Sequence, residues 1–196
     1  MEEGSFLWRD SNCNIDIIRR YIDDTKCKNY DIESVMDQSD RTMLVVAEPG
    51  MGKSTFLSHM EYEIKKRKPA VWVLRINLNE HTQALENIEF EEECIDKCKM
   101  FLWKAARSPE QCAAELVEKI FLQALEQTGN MVIILDGFDE ISPYYTTKVN
   151  ILIGEIGDKT ASQILISSPF SYRHNLEDIL KKTGLHVTAL QPRKSD

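Results

Sequence analysis

The sequence predicts an α/β domain, with a parallel sheet of five strands and helices on both faces. Three observations lead there. Short apolar runs alternate with stretches of helical periodicity from residue 43 to residue 190, the pattern of repeated strand-helix units. The run Met131 to Leu135 (MVIIL) is apolar at every position, as suits a strand covered on both faces, whereas a half-exposed strand would alternate. Finally, the first apolar run, Met43 to Val46, passes directly into a glycine-bearing turn and then a helix, in the stretch MLVVAEPGMGKST.

Composition bounds the rest. A chain of 196 residues, 42% hydrophobic and 29% charged, fits one such domain with a substantial core. No stretch approaches the roughly 18 apolar residues of a membrane span, and a formal net charge of −8 argues against binding a phosphate backbone. Neither a nucleic-acid nor a membrane partner is therefore expected. The opening MEEGSFLWRD is acidic and lacks the apolar segment of a secretory signal, so a cytoplasmic setting is the expectation. Cysteines 13, 27, 94, 98 and 112 are odd in number and scattered, which suits reduced thiols. Cys94 and Cys98 stand one helical turn apart, but no second Cys or His pair follows at ligand spacing.

Along the chain, residues 1–40 read as a polar helical lead-in, 41–190 as the domain and 191–196 as a tail. After the glycine turn, Phe56, Leu57, Met60 and Ile64 share one helix face. Lys65-Lys66-Arg67-Lys68 complement the dipole of the last turn before Pro69 stops the helix. Ala70 to Leu78 (AVWVLRINL) predicts the second strand. From Asn79 to Arg107 the pattern is helical and acidic, with Glu89, Glu91, Glu92 and Glu93 around Phe90 as a solvated face. Ser108, Pro109 and Gln111 open a helix whose apolar face is Leu116, Ile120, Phe121 and Ala124, ending at Gly129. Met131 to Leu135 is the third strand. Ser142-Pro143 opens a helix carrying Val149, Leu152, Ile153 and Ile156 as far as Gly157. Gln163 to Ser167 is a fourth strand, a short helix around Leu176, Ile179 and Leu180 ends at Gly184, and Leu185 to Leu190 is a fifth.

Two motifs carry chemistry. The loop Glu48, Pro49, Gly50, Met51, Gly52, Lys53, Ser54 and Thr55 has the make-up of a phosphate cradle. Its two glycines let backbone N–H groups wrap closely round an anion. Lys53 supplies a mobile positive charge, Ser54 a hydroxyl for Mg²⁺, and the following helix aims its N-terminus at the anion. Against the pattern G-x-x-x-x-G-K-[ST], Ala47 stands where the first glycine is usual. The second motif ends the third strand. Asp136 is placed to hold the same ion as Ser54, with Gly137 keeping the turn small. Of the acidic residues just beyond, Glu140 is the first choice to orient or deprotonate a water at the γ-phosphate, and Asp139 the second.

With AEPGMGKST (Ala47 to Thr55) and ILDGFDEIS (Ile134 to Ser142), the chain resembles the NACHT domains of the STAND class of P-loop NTPases, over roughly residues 40 to 190. RINLNEHT, from Arg75 to Thr82, is similar to arthropod members. The resemblance implies a switch that rests with ADP and self-associates with ATP, reset by slow Mg²⁺-dependent hydrolysis. It implies a role in signalling or innate-immune-like assembly, with partners met through domains outside this chain. By the same resemblance Gly50, Gly52, Lys53, Ser54 and Thr55 hold phosphate and Mg²⁺, and Asp136 holds the ion. Two features depart from it. Ser167-Ser168 is followed by Pro169-Phe170 where the family places an arginine that senses the γ-phosphate, leaving Arg173 as the nearest substitute. The family's histidine contact to the β-phosphate has no counterpart. A nucleotide-binding interaction module without turnover is thus the alternative to an ATPase. No Asn-Lys-x-Asp segment for reading guanine follows the fourth strand, which favours ATP over GTP.

Overall fold

The computed structural model describes residues 42–46, 49–50, 52–86, 94–106, 115–127, 130–141, 143–160, 162–172, 176–178 and 187–190. The lead-in of residues 1–40, the acidic cluster at 89–93, the helix start at 108–111, Gly184 and the 191–196 tail lie outside these residues.

The expected α/β architecture with a parallel sheet is what forms. Strands β1 (Thr42–Val46), β2 (Trp72–Asn77), β3 (Met131–Asp136) and β4 (Gln163–Ser168) are hydrogen-bonded in the order β2-β3-β4-β1. A last segment, β5 (Val187–Leu190), pairs in parallel along the other side of β1. All positions of β1 and β3 are buried, the signature of strands covered on both faces. On one face Met43, Val45, Val132, Ile134 and Leu165 pack against Phe56, Leu57, Met60 and Ile64 of α1 (Lys53–Arg67). On the other, Leu44, Ile133, Leu135 and Ile166 join a larger cluster with α3 (Ile95–Ala106), α4 (Glu115–Glu126) and α5 (Pro143–Lys159). The register aligns Asn77 with Asp136, Leu135 with Ile166 and Val46 with Ser168, so four strands finish level at one edge.

Several boundaries differ from the sequence reading. β2 begins at Trp72 because Pro69 and Ala70 form a turn, closed by the Val71 N–H on the Lys68 carbonyl at 2.9 Å. It ends at Asn77, whose side chain accepts from the Asn79 N–H at 3.2 Å and starts a 3₁₀ turn, Leu78–His81. Within the stretch read as helical from Asn79 to Arg107, the described residues form that turn, a short α2 (Thr82–Glu86) and α3. α5 continues past Gly157 to Lys159. Glycine inside a helix costs about 1 kcal/mol relative to alanine, but Gly154 and Gly157 are buried where the helix packs, and Thr160 Oγ1 caps the end by donating to the Ile156 carbonyl at 2.7 Å.

The face of α4 is also turned from the expected one. Leu116 and Ile120 are 66% and 44% exposed, while Phe121, Ala124 and Leu125 are buried. Aromatic packing sets this rotation: the Phe121 ring lies 5.3 Å from Trp103 and 5.8 Å, edge-on, from Trp72. No helix among the described residues is long and apolar enough to cross a membrane. Phe121→Ala should lower unfolding free energy by about 3–5 kcal/mol, whereas Leu116→Ala should change it by less than about 0.5 kcal/mol. Urea denaturation midpoints check both, and equal losses would contradict the observed face.

Candidate functional site

The apolar run of β3 drives that strand to the sheet centre and leaves its last residue, Asp136, at the C-terminal edge, only 5% exposed. A carboxylate buried to that degree requires hydrogen-bond donors. Three segments supply them. Ser54 Oγ, on the first turn of α1, donates to Oδ1 at 3.1 Å. Ser167 Oγ, on β4, donates to the same oxygen at 2.9 Å. Arg75 Nη2, on β2, donates to Oδ2 at 2.6 Å. Ser167 is beside Asp136 because Leu135 and Ile166 are register partners, and its hydroxyl also accepts the Gly137 N–H at 3.1 Å. Burial alone pushes the Asp136 carboxyl up; the hydrogen bonds from Arg75, Ser167 and Ser54, with the Arg75 charge, outweigh it and hold the group below its ordinary value.

The loop before α1 brings the first motif to the same edge. Gly50 and Gly52 have φ of 77° and 83°, in the left-handed region that favours glycine. Gly52 is the N-cap of α1, with no side-chain cap and no acidic residue in the first turn, which leaves that helix end open toward an anion. Lys53 Nζ lies 3.4 Å from Asp139 Oδ2. The loop lysine and the second-choice hydrolytic carboxylate are thus an ion pair. Asp139 and Glu140 sit on a turn closed by the Glu140 N–H on the Gly137 carbonyl at 3.0 Å. At Gly137, φ is 78°, in the left-handed region that favours glycine, and a Cβ would press on Asn77 Oδ1 at 3.3 Å. Glu140 is exposed and lines a cleft of about 560 Å³ together with Ser54, Arg75, Asn77 and Asp136.

Lys53, Ser54, Asp136, Asp139 and Glu140 therefore stand at one edge of the sheet, while Pro49 and Thr55 are exposed beside it. Glu48, Met51 and Arg173 lie outside the described residues. Ser168 and Pro169 are buried, with Ser168 Oγ donating to the Pro169 carbonyl at 3.3 Å ahead of a 3₁₀ turn, Phe170–Tyr172. Cys94 and Cys98 are buried thiols with sulfurs 3.9 Å apart, and burial pushes the Cys98 thiol up. Among the described residues, no group of three or more His, Cys, Asp or Glu side chains could hold a metal ion by itself.

Sequence reasoning gave Arg75 and Ser167 no part in this site. A signal for Arg75 was present: an arginine inside the apolar run AVWVLRINL must find a carboxylate if the strand is buried, and Asp136 ends a neighbouring strand. No protein-family model matches the chain, and no curated protein matches it.

The sign of the acid response follows from Asp136. Its folded-state value lies below the ordinary 3.8, so the stability it adds is complete above that value and is lost as pH falls through the lower folded one. Asp136→Asn should flatten the acid limb of stability below about pH 4. Denaturation midpoints across that range test this, and parallel curves for the two proteins would rule it out.

Proposed function

We propose that the chain is an ATP-binding, nucleotide-dependent switch of the NACHT type, built on a five-stranded P-loop NTPase core and turning ATP over slowly with Mg²⁺. One observation carries the reading. Ser54 Oγ, in the glycine loop, and Asp136 Oδ1, 82 positions away, meet at 3.1 Å, outside the carboxyl ends of parallel strands where open α/β sheets bind ligands. The loop that precedes Ser54 has the left-handed glycines of a phosphate cradle.

The residues present fit a magnesium ion. Hydroxyl and carboxylate are the hard oxygen donors that Mg²⁺ takes alongside substrate phosphates. Adjacent oxygens round an octahedral ion at about 2.0–2.1 Å stand about 2.9 Å apart, close to the Ser54–Asp136 separation of 3.1 Å. Ser54 and Asp136 would hold the ion, which when bound supplies charge neutralisation on the phosphates. Lys53 exchanges Asp139 for phosphate oxygens, as a flexible point charge readily does. Glu140, on the cleft wall, then has the better position to orient or deprotonate a water, since Asp139 serves Lys53.

A second reading, nucleotide binding without turnover, is favoured by the sequence Ser168-Pro169-Phe170, which stands where the resembled family has its sensor arginine. Self-association, a signalling role and a cytoplasmic setting follow from the resemblance and composition, and belong to the proposal in either form. Lys53→Ala should raise the Kd for ATP at least tenfold, about 1.4 kcal/mol or more; unchanged affinity in a titration would sink the nucleotide assignment. Phosphate release separates the two readings: Glu140→Gln should suppress it by about 100-fold or more under the first and leave a flat baseline unchanged under the second. Competition of GTP with ATP reads the base preference.

A further inference from the structure

We infer that Arg75 is the positioning residue of the Asp136 carboxylate, its guanidinium fork locking Asp136 to the first turns of α1 so that Ser54 and Asp136 form a ready site for a divalent cation. This rests on the nucleotide-binding reading above.

Side chains alternate across a strand. Val71 and Val73 pack against the cluster under α1, and Arg75, two positions on, reaches the same helix. Nη2 donates both to Asp136 Oδ2 at 2.6 Å and to the Ser54 carbonyl at 3.1 Å. Nη1 donates to Ser58 Oγ and approaches Glu61 at 4.0 Å. Ser58 Oγ in turn donates to the Ser54 carbonyl at 2.8 Å. One planar group thereby fixes the carboxylate and the backbone of the residue beside it. A lysine has one nitrogen in place of that rigid fork and cannot reproduce the set.

The two carboxylate oxygens have different partners. The terminal torsion of an aspartate is broad, so the plane of an unheld carboxylate would swing. With Arg75 on Oδ2 and Ser167 on Oδ1, the plane is held with one oxygen toward Ser54. Partners that orient a metal-ligating side chain typically change metal affinity 10- to 100-fold. A guanidinium that merely occupied Asp136 would do the reverse: its charge would oppose the cation, and its removal would tighten binding. The direction of the effect discriminates between orientation and occupation.

The test is a fluorescence titration of the full chain with N-methylanthraniloyl-ATP, in Mg²⁺ and in EDTA, for the wild type, Arg75→Gln and Arg75→Lys. Cooperative thermal melts establish that each protein is folded. The wild type should bind more tightly in Mg²⁺ than in EDTA. Arg75→Gln should cut that Mg²⁺-dependent gain, read as the ratio of its Kd in EDTA to its Kd in Mg²⁺, about tenfold or more. Arg75→Lys, which keeps a charge near Asp136, should also lose most of the gain, and it decides the matter if Arg75→Gln does not fold. A gain retained or enlarged in Arg75→Gln, or retained in full in Arg75→Lys, overturns the role of the fork. No binding by the wild type in either buffer overturns the nucleotide reading itself, and wild-type binding without a Mg²⁺ gain overturns the ion site at Ser54 and Asp136.

Discussion

A carboxylate buried at the end of a central strand is the constraint round which this edge of the molecule is arranged. Asp136 is 5% exposed, and a charge so placed persists only when donors surround it. Ser54, Ser167 and Arg75 come from a helix and two strands far apart in sequence, so the hydrogen bonds that keep Asp136 ionised also fix those segments against one another. Arg75 is half-buried, so removing it leaves the Asp136 charge short of a donor in a largely desolvated place. Stability and site geometry therefore share the same few atoms.

The strand order makes this arrangement possible. β4 lies between β1, which leads into the glycine loop, and β3, which ends in Asp136. That intervening strand spaces the loop from the acid and delivers Ser167 directly beneath the carboxylate. The level strand ends then leave two opposite-charge pairs side by side, Lys53 with Asp139 and Arg75 with Asp136. Each cation answers a carboxylate from a different segment. On the proposed reading, a ligand bearing negative oxygens and a divalent cation would draw Lys53 from Asp139, while Arg75 stays on Asp136 Oδ2.

Much of the fold was legible in the sequence, because continuous apolar runs such as MVIIL have few other places to go than the middle of a sheet. The boundaries were less so. Nothing local in AVWVLRINL shows that Asn77 will bend its own side chain onto Asn79 and start a turn, and the helical period of α4 leaves its rotation to be settled by Trp72 and Trp103. The two motifs at the site were visible as local patterns of glycine, lysine, serine and aspartate. Ser167 was not, and Arg75 showed only as an arginine inside an apolar run, since the partner each one meets comes from strand adjacency and register, which no local pattern encodes. The pairing of Asp139 with Lys53 was hidden for the same reason, and it turns a choice between two neighbouring carboxylates into an argument from geometry.

The electrostatics of the cleft carry that argument one step further. Glu61, Glu80, Asp136 and Glu140 line it, with Arg75 as the fixed positive charge among the lining residues, in a chain whose formal net charge is −8. A bare polyphosphate entering such a cleft meets like charges at close range, where a local dielectric below that of water strengthens the repulsion. Arg75, shared with Asp136, and the nearby Lys53, shared with Asp139, offset only part of it. A phosphate group whose charge is neutralised by a divalent cation enters on different terms, because the same carboxylates that repel the free anion attract the ion it carries. On the proposed nucleotide reading, the acidic lining would thus select for a cation-loaded ligand before any individual contact is made, with Arg75 keeping the Asp136 carboxylate aimed toward Ser54.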